Sequence, residues 1–287
     1  MTKERLYVYD TTLRDGQQTQ GVQFSLVEKQ QIAATLDTLG VDYIEGGWPG
    51  ANPIDSAWFD SKPKLRATFT AFGMTKRAGH SAENDTALNA VVNANTAAVC
   101  LVGKTHDFHV ETALGIPLDE NIENITRSIE HLVSQGREAL FDAEHFFDGY
   151  KANPDYARAC IQAAFEAGAR WIVLCDTNGG ALPAEVGQIV QEVIAAGLPG
   201  DHLGIHTHND TENAVANTLA AIDAGARQIQ GTLNGLGERC GNANLTSLLP
   251  ILKLKEPYRS HYEIGITDEA LRDLKRASRV LDDILNR

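Results

Sequence analysis

Short apolar runs and amphipathic segments alternate along the whole chain. Runs rich in β-branched residues predict strands at 6–9, 43–45, 65–71, 98–102, 138–142, 171–175, 203–206 and 228–231. Helical patterns follow them at about 26–39, 52–60, 84–94, 121–135, 155–167, 184–196, 211–224 and 245–254. Eight βα units in strict alternation predict a parallel sheet that closes on itself. The expected fold is therefore α/β, a single (β/α)8 TIM barrel.

The pattern after the eighth unit predicts one more amphipathic helix, at about 268–285. We therefore divide the chain into a catalytic barrel, residues 1–260, and a C-terminal helical extension, residues 261–287. A length of 287 residues suits this division, because a TIM barrel typically needs about 250 residues.

Charge and cysteine usage narrow the classes of partner. The net charge of −13 argues against nucleic acid, which is bound by basic surfaces. Apolar runs fall short of the roughly 18 residues that indicate a transmembrane helix, and the N-terminal residues lead into a strand rather than a signal peptide. The four cysteines lie far apart without a CxxC pair, which indicates reduced thiols. We expect a cytoplasmic protein with no membrane partner.

Polar residues are concentrated directly after the predicted strands. They occupy 10–16, 45–49, 104–106, 144–145, 176–178, 206–210 and 234–242. In a parallel barrel the carboxyl ends of all strands meet at one mouth, where the catalytic residues of this architecture lie. The pattern predicts that these segments form one site.

Within that site, two histidines indicate a metal. His206 and His208 are two residues apart at a strand end, so both imidazoles point to the same face. Asp15 follows the first strand, which lies next to the eighth in a closed barrel, and Asn242 offers an amide oxygen. Two imidazoles and a carboxylate suit a divalent cation, with Mg, Mn and Zn left open. An isolated pair of this kind is more often a hydrogen-bonded core pair, but its place at the mouth favours the metal.

Three further side chains are candidates for substrate chemistry. Arg14 places a permanent cation beside Asp15 and would stabilise the oxygen of a 2-oxo acid that becomes an alkoxide. Glu144 is a candidate acid–base relay, and the alternative is a surface salt bridge. Thr177 offers a hydroxyl to the substrate carboxylate, and the alternative is a structural turn.

Three motifs in the same order resemble the DRE-TIM metallolyase superfamily. They are YDTTLRDG at 9–16, GIHTHND at 204–210 and NGLGERCGN at 234–242. Within that superfamily the chain resembles the branch of citramalate, 2-isopropylmalate and homocitrate synthases over about residues 5 to 255. The segments 44–50 and 141–149 are most similar to the citramalate synthase group.

The resemblance implies an acyltransferase of amino-acid biosynthesis. Its reaction would be a Claisen-type condensation of acetyl-CoA with a short 2-oxo acid, pyruvate to citramalate being favoured, in a homodimer with a divalent metal ion as cofactor. The implied metal ligands are Asp15, His206, His208 and Asn242. Arg14 would stabilise the carbonyl oxygen, Glu144 would act as a catalytic relay, and Thr177 would contact the 2-oxo acid.

Two departures from the family pattern keep alternatives open. The lyases carry a Gly-rich loop with a catalytic cysteine, but TLNG stands at 232–235, which argues against a carbon–carbon lyase or aldolase. The synthases continue past the barrel into a subdomain that supplies a His and a Tyr, whereas this sequence ends at Arg287. Two alternatives stay open. One is a carbon–carbon lyase or aldolase of the same superfamily, which the chain length favours and the loop opposes, and the other is a barrel that binds metal and 2-oxo acid but has little synthase activity because that subdomain is absent.

Overall fold

A closed parallel barrel forms the body of the protein. The computed structural model describes residues 2–287, and strands β2 to β9 follow one another around the barrel in chain order. A separate pair, β1 with β10, is also parallel. The strands are β1 Glu4–Arg5, β2 Tyr7–Asp10, β3 Tyr43–Gly47, β4 Thr68–Met74, β5 Ala98–Lys104, β6 Glu138–Glu144, β7 Trp171–Asp176, β8 Leu203–Thr207, β9 Gln228–Gly231 and β10 Tyr262–Glu263. The predicted (β/α)8 fold is confirmed.

Helices surround the barrel, and each of the eight predicted ones is present within a few residues of its expected bounds. The helices are α1 Leu26–Leu39, α2 Pro53–Asp60, α3 Thr86–Asn93, α4 Asp107–His109, α5 Leu118–Ser134, α6 Phe146–Ala152, α7 Pro154–Glu166, α8 Pro183–Ala195, α9 Ala214–Ala224, α10 Leu245–Leu254, α11 Tyr258–His261, α12 Asp268–Arg272 and α13 Leu274–Leu285. The bounds of α1 follow from local chemistry. Ser25 and Glu28 form a capping box at its start, and Gly40 ends it in a left-handed conformation.

Several helical features differ from the sequence-based expectation, among them the short helices α4 and α11, which were not predicted. The helix α6 was not predicted, because its seven residues are too few to show a periodic pattern. The helix expected at 268–285 is interrupted at Asp273, where the backbone φ is −85° and ψ is −3°, so α12 and α13 are separate.

The barrel closes where β2 meets β9. Asp10 pairs with Gly231 in the parallel register, and the Thr11 amide then donates to the Gly231 carbonyl at 2.9 Å. One residue further, the Leu233 amide donates to the Thr12 hydroxyl at 2.9 Å. These bonds join the loop after the first barrel strand to the loop after the last one, so residues far apart in sequence share one wall of the mouth.

The C-terminal extension packs on the outside of the barrel. Leu274, Ala277 and Leu281 of α13 are buried, and α13 lies against α1. The Asn234 amide, in the loop after β9, donates to the Asp282 carboxylate at 2.8 Å. The division at residues 260 and 261 stays a prediction.

Two expectations about the whole chain concern membranes and thiols. Across residues 2–287, the structure contains no helix with both the length and the apolar character that crossing a bilayer requires. The four cysteines are free thiols in the described chain. Cys100, Cys160 and Cys175 are buried, and Cys240 is exposed.

Candidate metal centre at the barrel mouth

Three loops bring the predicted metal ligands to the mouth. His206 lies near the end of β8, and His208 follows that strand directly. Asp15 lies in a tight turn, in which its backbone amide donates to the Thr11 carbonyl at 2.8 Å. A β-bridge between His208 and Asn242 brings in the loop after β9. All four predicted ligands are buried, each less than 7% exposed, so they meet in a site that excludes most water.

The polar atoms of these four side chains converge. Asp15 Oδ2 lies 3.0 Å from His206 Nε2 and 3.8 Å from His208 Nε2. The two imidazole Nε2 atoms are 3.2 Å apart. Asn242 Nδ2 donates to Asp15 Oδ2 at 2.9 Å and lies 3.2 Å from His206 Nε2. The structure therefore brings together the carboxylate, both imidazoles and the amide.

The donor set fits a divalent cation. Asp15 Oδ1, His208 Nδ1 and Asn242 Oδ1 are buried and have no hydrogen-bond partner among residues 2–287. Leaving buried polar atoms unpaired costs free energy, and such atoms in native proteins usually have a partner. Turning the Asn242 amide about its axis would place Oδ1 where Nδ2 stands, because the two orientations have the same shape. A cation among the converging atoms would give the Asp15 carboxylate and Asn242 Oδ1 a partner, whereas His208 faces the cluster with its Nε2 and not with its unpaired Nδ1.

The electrostatics favour the ligand forms of Asp15 and His208. For His206, burial lowers the pKa, but the Asp15 carboxylate outweighs it and raises that pKa above its usual value. Burial by itself raises the pKa of Asp15, but Arg14 and His206 outweigh it and hold that pKa well below its usual range. Burial, together with the neighbouring His206, lowers the pKa of His208 to about 4. Near pH 7 the site therefore presents a carboxylate and a neutral imidazole, the forms that coordinate metals.

A hydrogen-bond chain across the barrel lumen fixes the orientation of His206. Its Nδ1 lies 2.9 Å from Gln230 Oε1, and Gln230 Nε2 donates to Asp142 Oδ1 at 3.2 Å. Because Gln230 Oε1 only accepts, Nδ1 carries a proton, and Nε2 is the nitrogen that faces Asp15 and would bind a metal ion. The sequence analysis missed both supporting residues. Its available signal was Gln228 and Gln230 at alternate positions of the last barrel strand.

We expect Gln230→Leu to weaken metal binding by about 10–100-fold, the usual cost of losing a side chain that orients a metal-binding imidazole. Titration calorimetry with Mn²⁺ measures this change. Gln228→Leu is the comparison, since Gln228 is equally buried on the same strand and bonds Gln230 Nε2 at 3.4 Å rather than His206, so its loss should have a smaller effect. Wild-type affinity in Gln230→Leu would contradict the orienting role.

Arg14 is fixed at the edge of the cluster. Its Nε donates to Glu45 Oε2 at 2.5 Å, and its guanidinium carbon lies 3.9 Å from the centre of the Phe72 ring. Its Nη1 lies 3.7 Å from Asp15 Oδ2. Glu45 Oε1 in turn accepts a hydrogen bond from the Tyr9 hydroxyl at 2.7 Å. A permanent cation is thus held beside the metal-type cluster, by which we mean Asp15, His206, His208 and Asn242. The sequence did not predict that Glu45 holds Arg14 there.

Glu144 and Thr177 lie on neighbouring loops of the same mouth. Glu144 Oε2 forms a salt bridge with Lys104 Nζ at 2.6 Å, which is the alternative considered for it from the sequence. Thr177 Oγ1 accepts a hydrogen bond from the His145 amide at 2.8 Å, so its own proton can still be donated to a ligand. The relay role of Glu144 and the substrate contact of Thr177 stay predictions.

A second group of possible ligands lies deeper in the lumen. Glu45, Cys100 and Asp142 offer buried atoms within 4.8 Å of one another. Both carboxylates already accept hydrogen bonds from side chains, and Arg14 balances their charge. We assign no metal to this group.

Comparisons with known proteins agree with the geometry. The HMGL-like family profile matches residues 5–277. An (R)-citramalate synthase from Synechocystis is 48% identical over 99% of this chain and 53% of the relative. A 2-isopropylmalate synthase from Caulobacter vibrioides is 34% identical over 98% of this chain and 52% of the relative. The chain thus spans about half the length of these curated relatives.

A solved structure shows the same fold. The HMG-CoA lyase from Brucella melitensis superimposes with a TM-score of 0.81 at 16% identity, over 99% of this chain and 100% of the lyase. Such low identity establishes the shared barrel and nothing about the reaction. The family match, by contrast, covers nearly the whole sequence and confirms the resemblance to the DRE-TIM superfamily. The chain belongs to the HMGL-like family.

Proposed function

We propose that this chain is the catalytic barrel of an acyltransferase that condenses acetyl-CoA with pyruvate to citramalate. The observation that carries the proposal is the position of Arg14, fixed 3.7 Å from Asp15 in a buried cluster of metal-ligand side chains. The identity to a citramalate synthase, 48%, exceeds the 34% to a 2-isopropylmalate synthase and favours the smaller 2-oxo acid.

The reaction needs the carbonyl of the 2-oxo acid to accept a carbon nucleophile. A divalent ion held by Asp15, His206, His208 and Asn242, whether Mg, Mn or Zn, would supply Lewis acidity to the substrate oxygens. Arg14 donates to the oxygen on which negative charge develops, and a donor fixed in advance stabilises that charge without reorganisation.

Further residues would handle the carboxylate and the protons. In the proposed reaction the methyl carbon of acetyl-CoA loses a proton and forms a bond to C2 of pyruvate, and hydrolysis of the thioester then releases free CoA. The Thr177 hydroxyl would donate to the pyruvate carboxylate. Glu144 would relay a proton, and its ion pair with Lys104 keeps it at the mouth.

The loop after β9 favours condensation over cleavage. Residues 232–235 carry no cysteine. The Leu233 backbone amide donates to the Thr12 hydroxyl, and the Asn234 side-chain amide donates to the Asp282 carboxylate. Two residues of this segment are thus held by other parts of the chain. The segment 232–235 lacks the catalytic cysteine that the resemblance associates with the lyases, and Cys240, further along the loop, is exposed. We propose a homodimer as the assembly, as the resemblance implies.

We expect the metal-loaded chain to bind pyruvate more tightly than 2-oxoisovalerate. The Phe72 ring contacts the Arg14 guanidinium, and the centre of the Trp48 ring lies 5.7 Å from that of Phe72, so two large aromatic side chains lie on the Arg14 side of the mouth. A single misfitted methylene group changes recognition by about 10–200-fold. Calorimetric titration with both acids measures the preference.

The outcomes separate the candidate functions. A clear preference for 2-oxoisovalerate would instead favour an isopropylmalate-type enzyme. Release of free CoA thiol from acetyl-CoA in the presence of pyruvate then tests the condensation itself. Pyruvate binding without thiol release would support the barrel with little synthase activity.

A further inference from the structure

A lysine lies fully buried behind the mouth of the barrel. Lys29 belongs to α1 and has no exposed surface. Its Nζ donates to the Leu13 carbonyl at 3.1 Å and to the Gly46 carbonyl at 3.1 Å, and it pairs with Asp55 Oδ1 at 2.5 Å. An ammonium group has three protons, so these three acceptors satisfy it completely.

The two carbonyls belong to the residues next to Arg14 and Glu45, whose hydrogen bond holds the Arg14 side chain in place. Leu13 directly precedes Arg14 in the loop after β2, and Gly46 directly follows Glu45 in β3. Arg14 and Glu45 are themselves joined by the bond from Nε to Oε2 at 2.5 Å. Lys29 therefore links the backbones of Leu13 and Gly46, next to the residues whose side chains bond each other.

Asp55 extends this link to the next turn. Its Oδ2 accepts a hydrogen bond from the Trp48 amide at 3.2 Å. Gly47 has a φ of +137°, and a Cβ atom there would lie within 3.0 Å of the three carboxylate atoms of Asp55. The chain can therefore pass this close to Asp55 only with glycine at position 47. The backbone after Glu45 therefore lies directly against the ion pair and is hydrogen-bonded to both of its members.

We propose that Lys29 is a positioning residue that holds the Arg14 guanidinium at the metal-type cluster. Lys29 touches neither the cluster nor any other predicted site residue, so it acts through the backbones of Leu13 and Gly46. The inference rests on the proposed function in one respect, namely that Arg14 contacts the 2-oxo acid. Misplacing a catalytic group by about 1 Å can cost about 100-fold in rate, so losing the link through Lys29 should lower the rate of the reaction.

The first experiment observes the Arg14 side chain directly by ¹⁵N NMR of the metal-free chain. The Nε–H signal of Arg14 is assigned by its loss in Arg14→Gln. In Lys29→Met, which keeps the side-chain length and loses all three donors, we expect this proton to exchange at least about tenfold faster, because a charge-assisted hydrogen bond is weakened. Unchanged shift and exchange would overturn the proposal. This readout needs neither metal nor pyruvate, so it stands apart from the proposed function.

The second experiment is a double-mutant cycle on pyruvate affinity, measured by calorimetry with Mn²⁺ present. Lys29→Met should weaken binding by about tenfold or more in the wild-type background. In an Arg14→Gln background it should add less than about twofold, because the residue it positions is gone. Equal losses in both backgrounds would contradict the proposal. If the wild-type chain binds no pyruvate, the proposed function fails and the NMR result still decides the role of Lys29.

Two further variants separate positioning from stability. Lys29→Met leaves the Asp55 carboxylate buried without its partner, so Lys29→Met/Asp55→Asn removes that charge and should give the same NMR and affinity changes in a better-folded protein. Arg137→Met is the matched control. Arg137 donates to the Thr96 carbonyl at 3.0 Å, ahead of β5 at the opposite end of the barrel. It should leave the Arg14 signal and the pyruvate affinity unchanged.

Discussion

Replacing His208 with alanine should abolish stoichiometric metal binding and leave the barrel folded. The imidazole Nε2 lies among the other ligand atoms, 3.8 Å from Asp15 Oδ2 and 3.2 Å from His206 Nε2. Its Nδ1 has no hydrogen-bond partner among residues 2–287, so the substitution breaks no bond to the rest of the fold. Loss of a direct ligand should exceed the roughly 10–100-fold cost of losing a supporting residue.

Elemental analysis of the purified variant and its circular dichroism spectrum test this expectation together. His202→Ala is the matched control. His202 precedes the same strand at its opposite end, where its Nδ1 lies 3.0 Å from the Arg170 carbonyl. It should retain the full metal content. Wild-type metal content in a folded His208→Ala protein would remove His208 from the ligand set.

Replacing Arg14 with lysine should have the largest effect on catalysis. Lysine keeps the charge but lacks the planar fork of donors, so it cannot bond Glu45 and reach the substrate oxygen in the same geometry. Losing one donor to a developing oxyanion typically costs about 10²–10³-fold in kcat. We expect a loss of that size in thiol release, with pyruvate affinity weakened by about 10–100-fold.

The control for this variant is Arg5→Lys. Arg5 forms a comparable part-buried ion pair with Asp42, but it lies at the other end of the barrel. Its lysine variant should keep both pyruvate affinity and activity. Metal content should stay unchanged in Arg14→Lys, because Arg14 is not among the ligands. Activity within threefold or so of wild type in Arg14→Lys would show that the charge suffices and that the fork of donors does not matter.

The architecture and the first layer of the site were predictable for one physical reason. In a closed parallel barrel every strand ends at the same mouth, so Asp15 and His208 had to meet although most of the sequence separates them. The spacing of His206 and His208 gave their common direction. Those two facts were enough to predict the cluster, and the position of Asn242 after the last strand added an amide oxygen to it.

The supporting contacts could not be predicted, because they depend on side-chain conformations across the lumen. Glu45 bonds Arg14 and Gln230 bonds His206, in each case between residues of different βα units. Lys29 lies in a helix whose pattern gives a lysine no reason to be buried. Its burial is possible because acceptors from three separate segments converge on it. Sequence periodicity predicts which face of a helix or strand a side chain lies on, but not which residue it contacts.

A metal bound where β2 joins β9 would also affect the stability of the barrel. Asp15 projects from one side of that join and Asn242 from the other, at 2.9 Å from each other. A cation held by both side chains would link the first and last strands of the barrel. Native-state binding adds to the free energy of unfolding, about 2.7 kcal/mol at a concentration 100 times Kd. Chelation should therefore loosen the barrel first at this join, and the melting temperature of the chain should rise with the metal concentration.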